Sequence, residues 1–100
     1  MKKQAFAGIH VVEFTGFAAG PVVGKHMADH GAEVVRVESA TRPDGFRTHY
    51  PPFKDDIPGL NRSGGFAIFN NDKCSMTLNL RHPQGVGLAK RMVAWADVVI

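Results

Sequence analysis

The chain has 100 residues, of which 44% are hydrophobic, and a formal net charge of +3. This is the composition of an ordinary globular protein and excludes a collagen-like, low-complexity or highly charged disordered chain. No apolar run approaches the roughly 20 residues that span a bilayer, and His10 and Glu13 interrupt what would be the apolar core of a signal peptide after Met1-Lys2-Lys3.

A cytoplasmic protein with no membrane partner is therefore expected. The basic residues are scattered from Lys2 to Arg91 with no aromatic-interleaved stripe, so nucleic acid is not an expected partner. A mild positive balance suits a small polyanion such as a nucleotide. The single cysteine, Cys74, has no disulfide partner and no Cys or His at metal-ligand spacing.

Residues 9–14 form a short, mostly apolar, β-branched run that reads as a strand buried on both faces. Residues 15–20 form a loop of mostly small residues. Pro21 then occupies what reads as the first helical position, where its missing N–H costs nothing. Val22, Val23, His26, Met27 and His30 recur at helical spacing, and Gly31 is a C-terminal stop. Residues 33–38 read as a second strand.

The span 39–65 carries Pro43, Pro51, Pro52 and Pro58 and glycines at 45, 59, 64 and 65. It is expected to be one long irregular loop, and loops beyond about 12–15 residues are usually functional or disordered. Residues 66–69 are apolar, with either helix or strand open. Residues 70–73 are a turn cluster. Residues 75–80 alternate and read as a third strand. A helix is expected from His82 and Pro83 to about Trp95, with Val86, Leu88, Ala89, Met92 and Val93 as its apolar set. Residues 97–100 read as a strand just begun, so the parent protein is expected to continue beyond Ile100.

The alternation of strands and helices implies an α/β fold, a parallel sheet with flanking helices. Ligands in such sheets bind beyond the carboxyl ends of the strands, where the 15–20 loop lies. Small side chains there let a ligand approach the backbone, and the following helix N-terminus suits phosphate. Glu38 stands about 20 residues downstream, where a dinucleotide-binding acid would bind ribose. The glycine pattern of that motif is absent, however, and Phe17 fills the position of close approach. Nucleotide binding and a ligand-free turn both stay open on this loop alone.

Four segments in order resemble one family. Residues 8–21, GIHVVEFTGFAAGP, are similar to the opening of family III CoA-transferases, which include formyl-CoA, carnitine and bile-acid CoA-transferases and the α-methylacyl-CoA racemases. Residues 31–38, residues 69–80 with their asparagine–lysine turn, and residues 96–100 resemble its later strands. The resemblance covers essentially the whole chain. It implies that residues 1–100 are the N-terminal part of a Rossmann-like, CoA-binding large domain in an interlocked homodimer.

It also implies an enzyme that moves CoA from an acyl-CoA donor to a carboxylic acid. An aspartate attacks the thioester, giving a mixed anhydride and then an aspartyl-CoA thioester. That aspartate is expected beyond Ile100, so these residues alone are expected to be inactive. The alternatives are a racemase-like isomerase on the same scaffold and a nucleotide-binding module without transferase chemistry.

By resemblance, Ala18, Ala19, Leu78, Asn79, Leu80 and Arg81 are the CoA-contacting positions. CoA or acyl-CoA is the expected ligand, as substrate, and no metal is expected. His26 and His30 share a helix face but lack the intervening glutamate of a metalloprotease motif. Asp55-Asp56 is a carboxylate pair in a proline-rich loop, read as solvated. Two positions depart from the family. Ser39 stands where many relatives carry an arginine that contacts the CoA nucleotide, with Arg36, Arg42 and Arg47 as possible substitutes. Cys74 replaces the arginine of the asparagine–lysine turn. Ser39→Arg is expected to tighten CoA binding in a calorimetric titration, unless one of those three arginines already fills the role.

Overall fold

The computed structural model describes residues 2–100. The elements are β1 (His10–Glu13), α1 (Ala19–Asp29), β2 (Glu33–Glu38), α2 (Gly45–His49), a 3-10 turn (Lys54–Asp56), α3 (Gly64–Asn70), β3 (Cys74–Thr77), α4 (Pro83–Trp95) and β4 (Val98–Val99). The four strands form one sheet in the order β3-β2-β1-β4. Every pairing is parallel, with Val11 opposite Val34 and Val98, and Val37 opposite Met76.

Successive side chains of a strand point to opposite faces, so a strand covered on both sides reads as a continuous apolar run. Val11 and Val12 of β1 obey this, each with no accessible surface. Val11 joins Val34, Ala28 and Ala32 in the core under α1, with Met27 and Ile9 at its margin. Val12 joins Val37 and Leu78 in the second core, against which Ala89 and Met92 of α4 pack. Val86, Leu88 and Val93, also expected on the apolar face of α4, remain exposed.

Helix α1 starts two residues earlier than expected. Ala18 is its N-cap, so Pro21 is the third helical residue. The first turn tolerates this, because its N–H groups have no intrahelical acceptors. The helix ends as expected, with Gly31 just past it at φ +104°, a backbone state that costs glycine nothing. The expected third strand is shorter than its alternation suggested. Pairing stops at Thr77, and Leu78 to Arg81 form the turn that follows.

The span 39–65 is not one irregular loop. Asp44 caps the short α2, its side chain accepting from the Phe46 N–H, and Ser63 caps α3 by accepting from the Phe66 N–H. Gly64 and Gly65, expected in the loop, sit in the first turn of α3, where the Ser63 cap satisfies a free donor. The intervening chain is closed by a bridge between Phe53 and Ser63 and by the Arg62 guanidinium, which donates to the carbonyls of Ile57 and Lys54. Residues 66–69, left open between helix and strand, belong to α3.

Helix α4 crosses close to the turn before it. A Cβ on Gly85 would overlap the Asn79 carbonyl oxygen. Backbone cannot yield as a flexible side chain can. Gly85→Ala is therefore expected to lose at least about 2 kcal/mol of stability, measured by urea denaturation, whereas Gly87→Ala, with open space at its Cβ, is expected to be neutral or stabilising.

Candidate functional site: a cleft at the carboxyl ends of the strands

A cleft of about 650 Å³ opens beyond the carboxyl ends of β1, β2 and β3. Its walls are the loop after β1, the end of β2 with the loop into α2, and the turn after β3. The volume is that of a small-molecule site.

Beneath the cleft lies a network of buried charges. Arg36, on β2, is 2% exposed. Its guanidinium donates to Asp44 Oδ2, to the Thr15 carbonyl at 3.0 Å and to Asn70 Oδ1 at 2.7 Å. Asp44 Oδ1 in turn accepts from the backbone N–H groups of Phe17 and Phe46, at 3.1 and 2.9 Å. One ion pair thus joins β2, the loop after β1, the start of α2 and the end of α3. It holds Phe17 at φ +60°, a backbone state that a non-glycine residue occupies at a cost. Among the described residues, the Nε of Arg36 has no hydrogen-bond acceptor; the guanidinium lies 4.9 Å from the Phe66 ring centroid, a cation–π arrangement.

A second pair supports the first. Arg47 Nε donates to both oxygens of Glu38, at 2.8 and 3.0 Å, while Glu38 also accepts from the Asp44 N–H. The guanidinium of Arg47 stacks 3.6 Å from the Phe66 ring centroid. Both Glu38 oxygens are thus engaged within the protein. Below, Lys73 Nζ lies 2.6 Å from Oε1 of the fully buried Glu13 and donates to the Pro21 carbonyl and Asn70 Oδ1.

Burial pushes the Asp44 carboxyl upward. The hydrogen bonds from Arg36, Phe46 and Phe17 and the Arg36 charge outweigh it, and the group titrates below its ordinary 3.8. Burial likewise raises Glu38, but the Arg47 hydrogen bond, the Asp44 N–H and the arginine charges bring it below 4.5. For Lys73, burial lowers the value from 10.5 against the pull of Glu13.

The expected contact positions divide. Leu78, Asn79, Leu80, Arg81 and Ser39 all line the cleft. Ala18 and Ala19 do not. They stand at the start of α1, and the neighbouring wall is formed by Thr15, Gly16 and Phe17. Asp55 and Asp56 lie in an exposed turn away from the cleft, with Asp55 paired to Arg62 at 3.2 Å. His30 Nδ1 approaches the carbonyl of His26 rather than its ring. Among the described residues, no three His, Cys, Asp or Glu side chains come together as a metal site, and no helix is long and apolar enough to cross a membrane.

Residues 6–100 match the model of CoA-transferase family III. The chain belongs to that family. It is 38% identical to a succinate–glutarate CoA-transferase of Agrobacterium fabrum, over 99% of this chain and 25% of that protein. It is 32% identical to a mouse succinyl-CoA:glutarate CoA-transferase, over 93% of this chain and 20% of the relative. A crystal structure of a CAIB/BAIF family protein from Brucella suis superposes with a TM-score of 0.85 at 40% identity, covering 98% of this chain and 25% of that one. The chain spans about a quarter or less of the length of these relatives.

No sequence motif marks the buried network of this family III chain as part of the site, although individual signals for it are in the sequence. Glu13 is a charge following the buried Val11 and Val12 in a mostly apolar run, and such a charge needs a buried partner. Asp44 precedes Gly45 and Phe46 as an N-cap would.

Asp44→Asn keeps the shape of the side chain but leaves the buried Arg36 charge uncompensated. It is expected to cost about 3–5 kcal/mol. A carboxyl whose folded-state value is depressed stabilises fully above its unfolded value and loses that contribution as pH falls toward the folded one. Stability of the native protein is thus expected to decline as pH falls through 4.5 and 3.8 and below. Urea denaturation at stepped pH checks both, and a shallower acid limb in Asp44→Asn is the expected signature.

Proposed function

We propose that the protein carrying this chain is an acyl-CoA:carboxylate CoA-transferase, and that these residues supply the pocket for the CoA nucleotide. One observation carries the reading. In a family III chain, the cleft at the strand ends is lined by the turn after β3, and that turn offers groups suited to a nucleotide.

Leu80 is 48% exposed at the cleft and gives an apolar surface for a base. Asn79 Oδ1 accepts the Arg81 N–H, which leaves its amide nitrogen free to donate to ribose or adenine. Arg81 forms no ion pair among the described residues and can meet a phosphate. The start of α1 at Ala18 and Ala19 adds backbone N–H groups beside the cleft, with Pro21 removing one donor from that turn.

These groups bind and orient. The chemistry is assigned to an aspartate outside these residues. Its carboxylate attacks the acyl-CoA carbonyl, and the carbon–sulfur bond breaks to give a mixed anhydride and CoA thiolate. The thiolate then attacks the aspartyl carbonyl, releasing the donor carboxylate and leaving the aspartyl-CoA thioester. The acceptor acid attacks that thioester to form a new anhydride, and CoA thiolate returns to the acceptor's carbonyl. A cytoplasmic location and an interlocked homodimer are part of this proposal.

Calorimetric titration tests the reading. CoA is expected to bind and NAD is not, and Arg81→Ala is expected to weaken CoA binding about tenfold, the scale of one charge-assisted contact. Binding of NAD in preference to CoA would replace the transferase reading with that of a dinucleotide-binding module.

A further inference from the structure

We propose that Arg42 supplies the phosphate-binding cation that position 39 lacks, and that Arg42 and Arg81 together read the phosphates of CoA. The proposal rests on the CoA-binding reading above and assigns its charge recognition to named residues.

Three arginines near the end of β2 could replace the one absent at Ser39. Two are already committed. Arg36 is 2% exposed and holds Asp44, Asn70 and the Thr15 carbonyl. Arg47 holds both oxygens of Glu38 and also donates to the Leu60 carbonyl and Asn61 Oδ1. Turning either toward a ligand would strand a largely buried carboxylate, which is strongly destabilising. Arg42 is different. It lines the cleft, is exposed, and makes no side-chain hydrogen bond or ion pair among the described residues.

Ser39 has its own part in this arrangement. Its Oγ accepts from the backbone N–H groups of Thr41 and Arg42, each at 3.3 Å, and lies 3.0 Å from Thr41 Oγ1. The hydroxyl folds the chain back directly after β2, and that turn sets Arg42 at the cleft. An arginine at 39 could not close the turn in this way. Arg42, three positions further along the loop, is the cation this turn leaves at the cleft.

The charge balance of the cleft supports the assignment. Glu38 and Asp44 both line it, and each is matched by its own arginine. Among the described residues, the uncompensated charge of the cleft is that of Arg42 and Arg81, from the loops after the neighbouring strands β2 and β3. Two guanidinium groups with free donors suit phosphate, which accepts paired N–H bonds.

The test is a calorimetric series on the whole protein with CoA, dephospho-CoA and pantetheine. Arg42→Ala is expected to weaken CoA about tenfold or more, to leave pantetheine unchanged, and to be partly rescued by Arg42→Lys. A loss that persists with dephospho-CoA assigns Arg42 to the pyrophosphate, and a loss that disappears assigns it to the 3′-phosphate. Ser39→Arg is expected not to tighten CoA binding while Arg42 is present. Unchanged CoA affinity in Arg42→Ala, or an equal loss with pantetheine, would overturn the proposal while leaving CoA binding intact. Failure of the native protein to bind CoA at all would instead remove the CoA reading on which it rests.

Discussion

The buried ion pair between Arg36 and Asp44 is the constraint on which the rest of this site depends. Arg36 projects from the middle of the sheet into a place where an unpaired charge would not be tolerated. Asp44 answers it from a loop eight residues later. Because Asp44 also accepts the Phe17 and Phe46 N–H groups, neutralising that charge fixes the loop after β1 and the start of α2 together. Two walls of the cleft are thereby set by one electrostatic requirement, with Glu38, Arg47 and the Phe66 ring completing the surround.

This arrangement separates structural charge from ligand-facing charge. Arg36, Arg47 and Lys73 are each bound to a carboxylate in the interior. Arg42 and Arg81 are exposed at the cleft without one among the described residues. A buried pair contributes little net stability against a hydrophobic alternative. Its value here is geometric, since it holds a loop of small residues and a left-handed Phe17 in one conformation beside the strand ends.

Much of the fold was legible in the sequence because strands and long helices carry periodic signals. The β-branched runs at 9–14 and 33–38 and the helical spacing after Pro21 led to β1, β2 and α1 within a few residues. The span 39–65 was not legible in the same way. Helices of five and seven residues are too short to show a period, and their stability comes from caps and from the stacking of arginines on Phe66. The site was legible in part. The turn from Leu78 to Arg81 and Ser39 line the cleft, whereas Ala18 and Ala19 are not among its lining residues and Thr15 to Phe17 form the neighbouring wall. The ion-pair network was hidden because its members are far apart in sequence, Arg36 and Asn70 being separated by 34 positions. Only the folded sheet brings them together.

The most direct test of this account is amide hydrogen exchange at Phe17. The residue lies in a loop and is 60% exposed, so sequence and exposure alone suggest a rapidly exchanging N–H. The hydrogen bond to a buried, ion-paired Asp44 predicts strong protection that falls only with global unfolding. Exchange of the Phe17 amide near its unprotected rate, while β2 stays protected, would mean that the Arg36–Asp44 pair does not hold the cleft wall.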